Sequence, residues 1–78
     1  MIGSKIKALL ELRNKSTHEV CNTLDILGAA YYRKINKNTF KAEELIKLAD
    51  LTDTELSFVD KRTGKQLITF DKSDVPDD

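Results

Sequence analysis

The sequence has one cysteine, one histidine, one proline and no tryptophan, and its 13 basic residues are balanced by 13 acidic ones. Each scarcity excludes something. Cys21 alone cannot close an internal disulfide, and Cys21 with His18 cannot supply the four ligands of a structural zinc site. A chain of 78 residues lies near the lower limit at which a core holds a fold without such staples, so packing must carry its stability, with self-association as the one aid left open. No apolar run approaches the roughly 20 residues that span a bilayer. No signal-peptide core follows the first residues either, so a soluble, cytoplasmic protein with no membrane partner is expected.

Chemistry is equally sparse. His18 and Cys21 stand three apart on one helix, but Cys21 is better read as core and His18 as an exposed first-turn residue, not as a thiol catalyst and its base. The acidic residues are scattered or terminal, with no spacing that selects a metal. Arg62-Thr63-Gly64-Lys65 is too short for a phosphate loop and reads as a hairpin turn. An enzyme is not expected, nor is a cofactor or metal.

Zero net charge hides an asymmetry. Residues 1–47 hold nine Lys or Arg and five Asp or Glu, a balance of +4, and residues 48–78 hold four and eight, a balance of −4. The basic half is free to face phosphates while the acidic half points away, although domains devoted to nucleic acid are more often basic throughout.

The chain is organised around residues 16–35, where two short amphipathic segments meet at a polar turn. Ser16-Thr17-His18-Glu19 has the form of a capping box, which starts a helix at about Thr17. Val20, Cys21 and Leu24 give that helix an apolar face. Asp25 tolerates the left-handed conformation, so the helix stops there and the chain reverses. A second helix runs from about Leu27 to Lys37, with Leu27, Tyr31 and Ile35 at i, i+4 and i+8. The pair is a helix–turn–helix.

Flanking elements follow the same reasoning. Ser4 is expected to cap a first helix running to about Arg13, with Ile2, Ile6, Leu9 and Leu10 on one face. Thr39 is expected to cap a fourth helix that turns Leu45, Leu48 and Ala49 inward, with Glu43 and Glu44 at its favourable end and Phe40 plugging the core. From Glu55 the apolar period becomes two, and a second alternating run covers residues 66–70. The two read as a β-hairpin. If Gly64 takes the left-handed position of a three-residue loop with a bulge, Lys61 pairs with Lys65 and Phe58 with Ile68. Leu56, Phe58, Ile68 and Phe70 then share one face, leaving Val59 and Leu67 on the other as a candidate dimer interface. Three parts result: a helix–turn–helix domain over 1–50, a hairpin extension over 51–70, and an acidic tail over 71–78 that is expected to be disordered.

With Leu9-Leu10, Val20-Cys21, Asp25, Leu27-Gly28 and Phe40 in these places, residues 6–49 resemble the lambda-repressor-like (Cro/XRE) helix–turn–helix family, especially its small phage and Firmicutes members, some of which end in a short hairpin. The fold class implied is mainly α, a four-helix domain of that type followed by a C-terminal β-hairpin. The resemblance implies a sequence-specific DNA-binding regulator of phage or mobile-element type, acting as a homodimer on double-stranded DNA through helix 27–37. Gly28, Ala29, Tyr32 and Arg33 match the base-facing positions, with Lys34, Lys37 and Lys41 as phosphate contacts. Gly28-Ala29-Ala30 departs from the pattern, because base readout normally uses Arg, Lys, Asn or Gln there. The same scaffold turned to protein binding, for example as a phage-encoded inhibitor or adaptor acting on a host protein, is the alternative.

Overall fold

A computed structural model describes residues 1–76 of the chain. Four helices, α1 (Ile2–Leu12), α2 (Thr17–Leu24), α3 (Gly28–Lys37) and α4 (Ala42–Leu51), are followed by an antiparallel hairpin of β1 (Leu56–Val59) and β2 (Gln66–Phe70) and a 3₁₀ turn, η1 (Lys72–Asp74).

All four helices stop by one device. Asn14, Asp25, Asn38 and Asp53 follow them at φ of 55°, 56°, 55° and 56°, the left-handed conformation that glycine more often supplies. Each lets the next residue reach back to the carbonyl five positions earlier: Lys15 to Leu10, Ile26 to Cys21, Thr39 to Lys34 and Thr54 to Ala49, at 2.8–3.2 Å. These bonds close the helix ends that would otherwise leave carbonyls unpaired.

The starts are less uniform. At α2 the expected capping box is present: Glu19 N–H donates to Ser16 Oγ at 3.2 Å and Ser16 N–H to the Glu19 carboxylate at 2.7 Å. Ser4 does not cap α1. The helix begins two residues earlier, with Lys5 N–H donating to the Met1 carbonyl, and the Ser4 hydroxyl donates to that same oxygen at 3.0 Å. Nor does Thr39 cap α4, whose cap position is Lys41; the Lys41 N–H donates to Glu44 Oε1 at 2.8 Å, so glutamate secures the start from inside the helix.

The core joins Ile6 and Leu10 of α1, Val20 and Leu24 of α2, Tyr31 of α3 and Leu48 of α4, with Cys21, Ile35, Phe40 and Leu45 packed at its margin. Ile46 is also buried, an inward position beside the expected Leu48 and Ala49. Among the described residues, Thr52 is the buried polar one. Its hydroxyl donates to the Leu48 carbonyl at 2.8 Å and meets the Thr54 hydroxyl at 2.9 Å, which satisfies it inside the last turn of α4.

The hairpin pairs Leu56 with Phe70 and Phe58 with Ile68, as its alternation implies. Its bulge lies elsewhere than expected. Val59 pairs with Gln66, so Leu67 is the extra residue, and the turn closes through Asp60 N–H to the Lys65 carbonyl and Gly64 N–H to the Asp60 carbonyl instead of a Lys61–Lys65 pair. Gly64 takes the expected positive φ, 74°.

The described part of the tail carries a short turn against α4. Asp71 caps η1 by accepting from Ser73 N–H, Lys72 pairs with Asp50 of α4 at 3.2 Å, and Val75 is half-buried. Residues 77 and 78, the rest of the expected disordered segment, lie outside the described residues.

Candidate nucleic-acid interface

The exposed face of α3 is fixed from behind. Its inner side carries Tyr31, fully in the core, and Ile35, against which the start of α1 crosses. That crossing needs Gly3, since a Cβ there would collide with the Ile35 carbonyl oxygen. Gly3 N–H also donates to Asn38 Oδ1 at 2.9 Å. On its flank, Lys34 Nζ lies 3.0 Å from Glu44 Oε2 and donates to Oε1 at 3.1 Å, tying α3 to α4.

With its inner side held, α3 presents Gly28, Ala29, Tyr32, Arg33, Asn36 and Lys37, every one of them exposed. The helix contains no acidic residue. Small residues occupy its first turn and cationic ones its last, so the backbone is open to close approach at the N-terminal end and charge is concentrated at the other. The cap position, Leu27, has no side-chain hydrogen bond to the first turn, and Tyr31 N–H is the first to find a helical partner, in the Leu27 carbonyl.

The expected site residues therefore divide. Gly28, Ala29, Tyr32, Arg33 and Lys37 share the outward face of α3. Lys41 is exposed in the next loop and shares a cleft with Glu43, Glu44 and Lys47, which places carboxylates beside it. Lys34 does not belong with them. Its ammonium is half-buried and committed to Glu44, so it positions the helix instead of waiting for a phosphate. Leu27, expected on the inner face with Tyr31 and Ile35, instead points to solvent at 80% exposure, because the cap residue is extended, with ψ of 158°, and falls out of the helical phase.

Two tyrosines stand edge to face at the centre of the helix, their rings 5.4 Å apart. Burial pushes the Tyr31 phenol above its ordinary value, while Tyr32 is half outside at 57% exposure and available to a partner. Around α2, His18 Nε2 pairs with Asn22 Nδ2 at 3.3 Å and Cys21 packs on the core margin. Among the described residues, no cluster of three His, Cys, Asp or Glu is placed to hold a metal, and no helix is long and apolar enough to cross a membrane.

The hairpin carries a second exposed surface. Val59 and Leu67, the expected dimer residues, are 52% and 57% exposed, and Phe58 and Ile68 on the other face are 66% and 57% exposed. Alternation placed the latter pair on one face with Leu56 and Phe70; it identifies a face but not whether anything covers it.

No family model matches the sequence, and neither a curated protein nor a solved structure is found to be similar to it.

Proposed function

We propose that the chain is a small, non-enzymatic, cytoplasmic DNA-binding regulator of the lambda-repressor-like type that lays α3 in the major groove and acts as a homodimer. The observation that carries this reading is the outward face of α3, which combines small residues at its N-terminal end, Arg33 and Lys37 beyond them, and no carboxylate anywhere in the helix. Gly28 and Ala29 permit close approach to base edges and are suited to contact with a thymine methyl group, Arg33 has the reach and donor geometry for guanine or phosphate, and Tyr32, Lys37 and Lys41 suit the backbone. One such helix reads few base pairs, so two copies on related half-sites supply the specificity. A Lys37→Ala variant combined with Arg33→Ala tests the reading directly in a duplex titration. Lost affinity with intact folding supports it, and unchanged affinity removes α3 from the interface.

A second reading rests on Leu27. Leu27 is 80% exposed at the entry to α3, a large apolar side chain with nothing over it, and the outward face of the same helix carries Ala29 and Tyr32; exposed apolar groups of this kind anchor protein interfaces, which favours an inhibitor or adaptor of a host protein. Leu27→Ser separates the two: it abolishes capture of a protein partner under this reading and leaves duplex affinity within a few-fold under the first.

A further inference from the structure

The hairpin is too apolar to be a solvated appendage. Its two short strands expose Phe58, Val59, Leu67 and Ile68 by more than half. Register shows how this surface is organised. Phe58 and Ile68 pair with each other and stand in file with the next pair on the same face, Leu56 and Phe70. Those inner two are half-buried and line an open apolar groove of about 290 Å³ with Ala42, Leu45, Ile46 and the inner edge of Phe58 itself. One apolar strip therefore runs from α4 out toward the hairpin tip, half-buried at one end and bare at the other. Phe58 and Phe70 meet edge to face with rings 5.9 Å apart, so the strip is a fixed surface within each copy.

Charge is graded along the same direction. The tip, residues 60–65, holds Lys61, Arg62 and Lys65 against Asp60, a balance of +2. The Asp60 carboxylate is engaged inside the loop, accepting from the N–H groups of Arg62 and Thr63 at 2.8 and 3.1 Å. At the base, Asp50, Glu55 and Asp71 line one small cleft with Lys72. Lys72 pairs with Asp50, so the base remains negative. A surface that is positive at one end, negative at the other and apolar between them is complementary to itself turned through a half-circle.

We propose that the hairpin is the contact between two copies of this chain, which pack about a two-fold axis with their hairpins antiparallel, each basic tip over the acidic base of the other. The bare pair Phe58 and Ile68 of one copy then covers the groove of Leu56, Phe70, Leu45 and Ile46 in its partner, and the exchange is reciprocal. The arrangement uses the Phe58/Ile68 face and leaves Val59 and Leu67 outside it, at the margin. It stands apart from any reading of α3, since no DNA is needed for it.

The experiment is sedimentation of the purified chain without DNA, over a range of concentration and salt. The intact chain is expected to be dimeric, and Phe58→Lys monomeric, with Val59→Lys remaining dimeric. Tip reversal (Lys61→Glu, Arg62→Glu, Lys65→Glu) and base reversal (Asp50→Lys, Glu55→Lys) are each expected to weaken the dimer at least tenfold. Mixed in equal amounts, the two reversed chains are expected to recover it, because each tip again meets a base of opposite sign. Circular dichroism confirms that the variants fold, and all five reversed positions except Asp50 and Glu55 lie in the loop. A chain that stays monomeric at millimolar concentration overturns the proposal. So does a Phe58→Lys dimer, or a base reversal that leaves the dimer intact, as a tip-to-tip arrangement requires, because like charges then face each other before and after the reversal.

Discussion

Gly3 and Asn38 join the start of α1 to the end of α3 through one bond, the Gly3 N–H donating to Asn38 Oδ1 at 2.9 Å. The N–H at the beginning of α1 has no helical acceptor, and Asn38 is already in the left-handed conformation that ends α3, so its short side chain is free to turn back across the helix crossing. A single asparagine thus stops one helix and caps another.

This distinguishes it from the other asparagine with the same backbone. Asn14 also has φ of 55° and has no side-chain bond to another element among the described residues. Asn14→Gly is expected to stabilise the protein by about 0.5 kcal/mol through relief of the left-handed conformation. Asn38→Gly is expected to destabilise it by about 1 kcal/mol, since the lost bond outweighs the same relief. Opposite signs of the change in Tm check the account; equal signs contradict it.

Gly3→Ala tests the crossing itself. The methyl would overlap the Ile35 carbonyl, a backbone atom that has no rotamer to escape into. A loss of about 2 kcal/mol or more is expected, which in a domain of this size lowers Tm by about 10 °C. No measurable loss would mean that α1 does not press on α3 at this point.

Lys34 and Lys37 stand one turn apart and are expected to fail in opposite assays. Lys34→Met removes the partner of Glu44 from a contact whose side chains are less than one-fifth exposed, at 18% and 14%, and is expected to cost about 1–2 kcal/mol of stability while leaving the salt dependence of DNA binding unchanged. Lys37→Ala should leave Tm alone and reduce the slope of log affinity against log salt by about 1. Denaturation and salt titration of both variants settle the assignment, and a reversed pattern would make Lys34 the phosphate contact.

The capping box at α2 gives a pH dependence with a definite sign. The hydrogen bond from the Ser16 backbone N–H holds the Glu19 carboxyl below its ordinary value. A carboxylate with a lowered folded value contributes stability that is present above its unfolded value and lost as the pH falls through the folded one. Glu19→Gln is therefore expected to be less stable than the native chain at neutral pH and to converge with it in acid. Parallel stability curves across that range would show that the box contributes nothing.

How far these relationships were legible depends on whether their causes are local. Ser16, Glu19 and Asp25 act on residues within one turn, so the capping box and the reversal between α2 and α3 were readable. Ser4 misled because a serine near a helix start has two uses; here the chain had already entered the helix at Ile2, leaving the hydroxyl to bond back to Met1. Leu27 misled because helical spacing was extended across a cap residue that is not helical. Gly3 carried no sequence signal at all, since its role is set by Ile35, far along the chain. The hairpin faces were readable from alternation, but the exposure of Phe58 and Ile68 depends on how far the strands extend beyond α4. In the candidate site, α3 and its exposed face were readable, whereas the withdrawal of Lys34 from it required knowing where Glu44 lies.

The most direct test of the proposed function is selection by the purified chain from a random duplex pool, repeated from low to physiological salt. The account predicts enrichment of paired, two-fold related half-sites, and affinity that falls with salt by a slope that Arg33→Ala and Lys37→Ala together reduce by about 2. Absence of any selected sequence, or weak binding that disappears with salt whatever the sequence, would contradict it.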